Sequence, residues 1–306
     1  MDGIIVINKP QSFTSFDVVA VMRRLCGQRK IGHTGTLDPM ATGVLPLLLG
    51  NATRAQDILP DSSKEYVAEF RLGMRTDTLD IWGEVTGKHE VTSSQSDILE
   101  LIPKYTGEIE QVPPMYSAVK KDGVRLYDLA RKGIEVEREK RKVTISELKL
   151  LSYDSEMHTG QLKIACSKGT YIRTLIDDIG SDLGCGAVMT SLVRTKACGF
   201  ALEDSVTLDE VKELSKEGEC PQNTQQLLRS CEGLFSVYRR ISVSENQAVR
   251  FSNGNPLDVA RTEIKTTASD GEILRVCSRN GKFIGLGKTD TQTGLVKIFK
   301  LFPSDL

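Results

Sequence analysis

The stretch GHTGTLDPMATGVLPLLLG, residues 32–50, places one carboxylate, Asp38, in a run of Gly, Thr and Pro that leads into an apolar segment. VLPLLLG is typical of a buried strand. An Asp before a Pro is most often a turn former whose carboxylate caps nearby amides. Here, however, glycines permit unusual backbone angles or close approach, and His33 and threonines surround the acid with donors and acceptors. The stretch therefore predicts either a turn or a functional loop beside a buried strand.

Length and composition restrict the class of protein. The 306 residues are 39% apolar and 26% charged, which fits one large or two unequal globular domains. No apolar run approaches the roughly 18 to 20 residues of a membrane span, and MDGIIVINKP lacks the basic leader and cleavage site of a signal peptide. We therefore expect a cytoplasmic protein that does not associate with a membrane.

The sequence motifs do not support a metal site, a Ser-His-Asp hydrolase or a phosphate-binding loop. The seven cysteines include no CxxC pair, which favours reduced thiols over a disulfide framework or a zinc site. The three histidines form no HExxH spacing, and no GxSxG elbow supports a Ser-His-Asp triad. GLGKTD at 285–290 lacks the first glycine of a phosphate loop, because position 282 is Lys. We expect no bound metal.

Charge is informative only locally, since the formal net charge is −1. Residues 120–142 carry nine Lys or Arg against five acids, and residues 23–30 hold a second basic cluster. Such runs are either solvated faces or surfaces for a polyanion. Their position relative to the other motifs must decide between the two.

The pattern of apolar residues predicts a mixed N-terminal part and a small β-rich C-terminal part. In the N-terminal part Ser15 is a candidate cap for a helix that Gly27 stops, and Tyr66 lies at the start of an alternating strand. In the C-terminal part a Ser244/Gln247 capping box starts a helix. The predicted strands are GIIVINK (3–9), VLPLLLG (44–50), EYVAEFRLG (65–73), QLKIACS (161–167), ILRVCS (273–278), KFIGLGK (282–288) and LVKIFKLF (295–302), and the predicted helices are FDVVAVMRRLC (16–26), 172–183 and ENQAVRFSNG (245–254).

Several motifs, taken in order, resemble one family. GHTGTLDPMATGVL at 32–45 resembles the catalytic motif of the bacterial TruB-type tRNA pseudouridine-55 synthases. Other segments resemble further parts of the same family and, at the C-terminus, its RNA-binding PUA domain. These segments are VINKPQSFTSFDVV (6–19), KEYVAEFRLGMRTDTLDIWG (64–83), QVPPMYSAVKKDGVRLYDLARKGIEVEREKR (111–141), CSKGTYIRTLIDDIGSDLGCGA (166–187), SLVRTKACGF (191–200), FSNGNPL (251–257) and NGKFIGLGK (280–288).

The resemblance implies an α+β fold with a mixed, largely antiparallel sheet in a catalytic domain over residues 1–238, followed by a small β-rich PUA domain over 239–306. It also implies isomerisation of uridine to pseudouridine at position 55 in the T loop of tRNA, with the base flipped out of the loop. The base leaves its N-glycosidic bond, rotates and rejoins the ribose through carbon. The resemblance implies no cofactor, no metal and no obligate protein partner, and it makes the tRNA T arm the expected partner.

Three residues match the catalytic positions of the family. Asp38 matches the essential aspartate, which acts as a nucleophile or as a base. Arg173 matches the arginine that pairs with it, although the sequence alone is also compatible with a surface helix residue. Tyr66 matches the tyrosine that stacks on the target base and assists removal of the C5 proton, whereas its pattern alone fits a half-buried strand aromatic.

Four further residues match substrate-binding positions. His33 matches the position that fills the space left by the flipped nucleotide, and Tyr171 and Leu192 match positions that line the pocket. Lys9 is expected to support the catalytic loop or to contact a phosphate. One departure is Val193, because the family commonly has a second arginine after the leucine and Val193 cannot form a salt bridge.

Two alternative functions stay open at this level. The chain could be an RNA-binding or tRNA-folding protein in which catalysis is secondary, although the presence of all three catalytic residue types argues against lost catalysis. It could also be a related synthase that acts on another RNA, which the insert around 97–142 and the short C-terminal part make less favourable. The sequence leaves open whether the aspartate attacks the base or the sugar, the oligomeric state and any second, folding role.

Overall fold

The computed structural model describes residues 1–216 and 224–302. No helix within these ranges is long and apolar enough to span a bilayer. The strands are β1 (Gly3–Lys9), β2 (Ile31–His33), β3 (Thr42–Leu49), β4 (Lys64–Leu72), β5 (Met74–Thr76), β6 (Val85–Lys88), β7 (Gly107–Gln111), β8 (Lys120–Lys121), β9 (Val124–Arg125), β10 (Arg141–Asp154), β11 (Thr159–Cys166), β12 (Ala187–Ala197), β13 (Phe200–Ala201), β14 (Arg239–Val243), β15 (Leu257–Asp258), β16 (Ile273–Ser278), β17 (Phe283–Asp290) and β18 (Leu295–Leu301). The α-helices are α1 (Ser15–Leu25), α2 (Gln95–Leu101), α3 (Leu126–Ala130), α4 (Ile172–Asp182), α5 (Leu208–Lys216) and α6 (Glu245–Ser252).

A nine-stranded sheet organises the first part of the described chain. Its order is β1-β3-β12-β4-β11-β10-β7, with β2 paired to β3 and β13 paired to β12. The pairing of β3 with β12 is parallel, and the other pairs are antiparallel. The expected α+β class with a mixed, largely antiparallel sheet is therefore confirmed. The loop of residues 34–41 connects β2 to β3 and emerges where β3 meets β12.

The N-cap of helix α1 lies one residue earlier than the predicted cap. Thr14 is the N-cap: its hydroxyl accepts from the Asp17 N–H at 3.0 Å, and the Asp17 carboxylate accepts from the Thr14 N–H at 2.8 Å. The prediction that Ser15 caps the helix was wrong, because the Asp17 carboxylate reaches back to Thr14. Ser15 is instead buried, and its hydroxyl accepts from the Leu37 N–H at 2.8 Å. This bond joins α1 to the 34–41 loop.

Helix α4 packs on the nine-stranded sheet through the predicted apolar face. Ile172, Leu175, Ile176 and Ile179 are buried in a cluster that includes residues of β4, β11 and β12. The predicted helical spacing is thus confirmed. Because Arg173 follows Ile172 in the first turn, the packing of this face fixes where the guanidinium lies.

The last part of the chain forms a five-stranded sheet in the order β14-β16-β17-β18-β15. The Ser244/Gln247 capping box of α6 and the strands predicted at 273–278 and 282–288 are present, and these two strands, β16 and β17, form a hairpin in which Gly281 has φ +89°. An apolar cluster joins residues of β1 and β3 to Phe235, Leu286 and Phe302. The division at 238/239 stays a prediction.

Candidate active site

A cleft of about 820 Å³ opens beside the 34–41 loop. Asp38 and Arg173 line it together, although 135 positions separate them in the sequence (173 − 38). The other lining side chains come from the start of α1, the loop after β5, and the segment from residue 116 to residue 131. The cleft is therefore assembled from loops at one edge of the nine-stranded sheet and from the first turn of α4.

The ion pair between Arg173 and Asp38 is the central contact of the cleft. The Arg173 Nε lies 3.0 Å from the Asp38 Oδ2, with 6% of the arginine side chain and 36% of the aspartate side chain exposed. A charge-assisted contact of this kind is short and directional, and it fixes the orientation of the carboxylate. Asp38 is thus an anchored carboxylate with a face open to a ligand.

The remaining N–H groups of Arg173 bind two other walls of the cleft. Its Nη1 donates to the Thr78 carbonyl oxygen at 2.8 Å, and its Nη2 donates to the Tyr116 carbonyl oxygen at 3.0 Å. The Nη1 also lies 3.5 Å from the Oδ2 of buried Asp80. One guanidinium therefore connects three loops, which is the geometry for which a planar fork of donors is suited.

Asp80 is a site residue that the sequence reasoning missed. Its Oδ1 accepts from the Thr78 hydroxyl at 2.8 Å and from the Trp82 N–H at 3.1 Å. Burial raises the pKa of its carboxyl, while the Thr78 hydrogen bond and the Arg173 charge oppose that rise. A carboxylate in the TDTLD loop directly after the tyrosine-bearing strand was the available signal, but nothing in the sequence placed it near Arg173.

Two buried cations lie beneath the 34–41 loop. Arg194 on β12 donates to the carbonyl oxygens of Val44 at 2.7 Å, Gly35 at 3.1 Å and Thr36 at 3.3 Å. Lys9 at the end of β1 is also fully buried, and its Nζ donates to the carbonyl oxygens of residues 10, 13 and 39. Of the two roles expected for Lys9, the geometry is that of loop support, since a fully buried ammonium does not reach a phosphate outside.

Lys9 makes stability depend on pH between about 8 and 10.5. Burial, with Arg194 nearby, lowers the pKa of the folded-state ammonium from 10.5 to about 8, against an opposing effect of Asp38. In this window the unfolded chain binds more protons, so the free energy of unfolding rises with pH. In denaturant unfolding, the free energy of unfolding of the wild type minus that of Lys9→Met should become more positive as the pH rises through this window. A difference that stays flat or shrinks would show that the buried ammonium does not titrate there.

Tyr66 and Leu192 lie inside the protein rather than on the cleft surface. The Tyr66 side chain is 5% exposed, and both residues belong to the apolar cluster that includes the cleft-lining Leu37 and Met40. Burial raises the pKa of the Tyr66 hydroxyl to about 12, and the nearby Arg194 guanidinium opposes this rise. The phenol is therefore protonated at neutral pH.

His33 lies at the surface of the cleft, and Tyr171 lies at the start of α4. His33 ends β2 and lines the cleft, and burial followed by the Arg194 charge lowers the pKa of its imidazole. Tyr171 is the residue before α4, and its backbone N–H and carbonyl oxygen bond to the side chain of buried Gln111 at 3.0 and 3.2 Å. Tyr171 thus fixes the start of the helix that carries Arg173.

The close approach of β3 to β12 requires a glycine at position 43. Gly43 has φ +101°, and a Cβ there would lie 2.2 Å from the Arg194 carbonyl oxygen. Val193, where the resemblance led us to expect an arginine, pairs with Thr42 on the same strands. Alternation along β12 directs its side chain away from the face shared by Leu192 and Arg194.

The basic segment reaches the cleft. Arg125, Tyr127 and Arg131 line it, and both guanidinium groups lie over the Tyr127 ring at 5.6 and 5.5 Å from its centroid. Part of the 120–142 run is therefore a wall of the cleft and not only a solvated face. Among the described residues, no group of three His, Cys, Asp or Glu side chains is arranged to hold a metal ion, and the cysteines there form no disulfide.

Comparison with known families identifies the class. The description "TruB family pseudouridylate synthase (N terminal domain)" matches residues 23–172, and "tRNA pseudouridylate synthase B C-terminal domain" matches residues 173–236. A third, "Pseudouridine synthase II TruB, C-terminal", matches residues 240–297. The matches thus define a pseudouridylate synthase, an enzyme of the isomerase class.

Similar proteins extend the match over nearly the whole chain. A tRNA pseudouridine synthase B from Clostridium tetani is 44% identical over 302 residues, which span 98% of this chain and 99% of that protein. Another from Pseudomonas fluorescens is 44% identical over 288 residues, which span 94% of this chain and 92% of that protein. The chain therefore belongs to the TruB family of pseudouridylate synthases.

Solved structures agree on the fold. A chain of a Cbf5–Nop10–Gar1 complex superposes with a TM-score of 0.72 at 26% identity, covering 98% of this chain and 85% of that one. A chain of an H/ACA RNP bound to a substrate RNA containing 2′-deoxyuridine superposes with a TM-score of 0.71 at 23% identity, covering 99% and 85%. The second likeness concerns the fold alone.

Proposed function

We propose that this enzyme isomerises uridine to pseudouridine at position 55 in the T loop of tRNA. Relatives that match nearly its full length are named tRNA pseudouridine synthase B. The observation that carries the proposal is the half-open Asp38 carboxylate, paired at 3.0 Å with the buried Arg173 inside a cleft large enough for a nucleotide. A carboxylate held in this way is oriented and accessible, as either a nucleophile or a base must be.

The proposed substrate is a base flipped out of the T loop. Extrusion of a nucleotide costs about a few kcal/mol, which contacts in the pocket offset. His33 fills the space that the uridine leaves, and Arg125 and Arg131 attract the phosphates beside it. Binding is therefore expected to weaken steeply with salt.

Asp38 acts on the flipped uridine as a nucleophile or as a base, while Arg173 holds the carboxylate in place. The N-glycosidic bond between N1 and C1′ breaks, the base rotates, C1′ bonds to C5, the C5 proton leaves and N1 takes up a proton. Tyr66 stacks on the base, and its hydroxyl, which is protonated at neutral pH, takes up the C5 proton as it passes its own proton on. Because the Tyr66 ring is almost fully covered, the base reaches it only when cleft-lining side chains such as Leu37 and Met40 move. Leu192, in the same cluster, and Tyr171, beside Gln111, complete the surroundings of the base.

We also propose that the chain is divided into two domains. Residues 1–238 form the catalytic domain, and residues 239–306 form a PUA-like domain that adds contacts to the T arm of tRNA. The enzyme works in the cytoplasm without cofactor, metal or obligate protein partner.

The decisive experiment incubates the purified enzyme with an unmodified tRNA transcript and maps pseudouridine along it. A single new pseudouridine at position 55 is expected. Modification of a ribosomal RNA fragment in preference to tRNA would instead favour a synthase with another substrate. Accelerated tRNA folding with no pseudouridine would favour a folding protein.

Tyr66→Phe should slow product formation by about a hundredfold while leaving tRNA affinity nearly unchanged. The variant keeps the ring for packing and stacking but loses the hydroxyl that handles the C5 proton. Single-turnover kinetics with tritium at C5 of uridine measure the step directly. An unchanged rate would remove the hydroxyl from the mechanism and leave Tyr66 a packing residue.

A further inference from the structure

Two large aromatic side chains lie exposed in the wall of the cleft. Phe16 is 63% exposed and Trp82 is 53% exposed, and both line the same cleft as Asp38. Scattered apolar residues on a surface need no explanation, but exposed rings gathered around a concave site point to a ligand with flat faces. Neither ring takes part in the contacts that hold Asp38.

Trp82 is held in place by the network around Arg173. Its backbone N–H donates to the Asp80 Oδ1 at 3.1 Å, and the preceding Ile81 N–H donates to the Met189 carbonyl oxygen at 2.9 Å. Asp80 in turn contacts Arg173, which pairs with Asp38. The backbone that carries the Trp82 ring is therefore fixed relative to the reacting carboxylate.

Phe16 lies in the first turn of α1, which is bonded to the 34–41 loop. It follows Ser15, whose hydroxyl accepts from the N–H of Leu37, the residue before Asp38. The Arg23 guanidinium carbon lies 5.6 Å from the Phe16 ring centroid. The two rings thus come from segments that meet at the pair of Asp38 and Arg173.

The charges of the cleft favour a nucleic acid as the ligand of these rings. Exposed Arg125 and Arg131 line the same cleft, and Arg23 accompanies Phe16. Aromatic rings interleaved with guanidinium groups are the arrangement by which proteins bind unpaired nucleotides, with rings under bases and cations beside phosphates. Rings and cations together therefore favour a ligand that offers both flat bases and phosphates.

We propose that Trp82 and Phe16 are stacking platforms for the bases of the nucleotides that flank the uridine in the cleft. The inference rests on the proposed function and extends it to the neighbours of the target. Extrusion of the uridine removes a stacking partner from each neighbour, and these rings replace those partners. Both residues act on binding and take no part in the chemistry.

Trp82 is the single tryptophan of the chain, so its fluorescence reports on this one position. The Asp38→Asn variant, which retains the cleft, is titrated with a T-arm stem-loop RNA and with a fully paired RNA duplex of equal length. The stem-loop is expected to quench the emission at saturation, and the duplex is expected to leave it nearly unchanged. Binding of the stem-loop without any change in emission would overturn the assignment of Trp82.

Kinetics test both rings against a matched control. Trp82→Ala and Phe16→Ala should each raise KM about tenfold with little change in kcat, and Trp82→Phe should restore most of the loss. Leu151→Ala is the control, because Leu151 is 50% exposed and lies on β10 away from the cleft. Alanine variants with wild-type KM would overturn the proposal. An inactive wild type would instead refute the proposed function, which keeps the two failures distinct.

Discussion

Asp38→Asn is expected to lower pseudouridine formation at least about a thousandfold, because the amide can act neither as an anionic nucleophile nor as a base. The change is nearly isosteric, and Arg173 keeps its contacts with the carbonyl oxygens of Thr78 and Tyr116. The ion pair is lost, but Asp80 stays beside the buried Arg173 and the amide oxygen can still accept from its Nε, so the cost in stability should be about 1 to 2 kcal/mol. The variant should therefore fold normally and bind tRNA while being inactive.

Three measurements separate these effects for Asp38→Asn. Mapping of pseudouridine in a tRNA transcript gives the turnover, filter binding gives the affinity, and thermal unfolding gives the stability. Asp2→Asn is a control of the same chemistry far from the cleft, where the carboxylate bonds to Asn51. Wild-type turnover by Asp38→Asn would refute the role of this residue, and loss of folding would show that its carboxylate is structural.

Arg173→Met should be inactive and also less stable, by about 3 kcal/mol. The substitution removes the cation that faces Asp38 and Asp80 and leaves the carbonyl oxygens of Thr78 and Tyr116 without their donors. Burial already raises the pKa of Asp80, and without Arg173 it should rise further. Since Asp80 then takes up a proton more readily when folded, the deficit in stability should narrow as the pH falls towards its raised pKa.

A double variant separates structure from chemistry at Arg173. Asp80→Asn combined with Arg173→Met removes the buried unpaired carboxylate, so it should recover stability relative to Arg173→Met alone without recovering turnover. Arg173→Lys should keep the charge but lose the fork that connects three loops, and turnover should still fall about a hundredfold. If Arg173→Lys were fully active, a point charge would suffice and the connection of the loops would have no role in catalysis.

Much of the fold could be predicted because its signals are local. The alternating strand at 65–73, the apolar face of 172–183 and the Ser244/Gln247 box all depend on neighbours within a few residues. The misplaced cap of α1 shows the limit of such signals. Thr14 and Ser15 are equally good caps, and only the reach of Asp17 decides between them.

The candidate site was predictable only in part. Asp38 and Arg173 were named from motifs, and the structure brings them together, but their contact depends on the packing of α4 against the sheet. The positions of Asp80 and Arg194 depend on pairings between distant strands, such as Gly43 with Arg194. The burial of Lys9 could not be predicted either. An Asn-Lys-Pro motif gives no indication of whether the lysine ammonium faces solvent or backbone carbonyl oxygens.

Arg194 and Lys9 hold the 34–41 loop through its main chain. They donate hydrogen bonds to the carbonyl oxygens of Gly35, Thr36 and Pro39. Every amino acid supplies the same carbonyl group, so these bonds do not depend on the side chains at 35, 36 and 39, whereas Leu37, Met40 and Ala41 hold the loop through their buried side chains. Within these eight residues (41 − 34 + 1), the groups that hold the backbone therefore differ from the Asp38 carboxylate that faces the cleft. A functional group at the accessible position 38 can therefore be exchanged while the carbonyl contacts and the buried side chains of the loop keep its backbone in place.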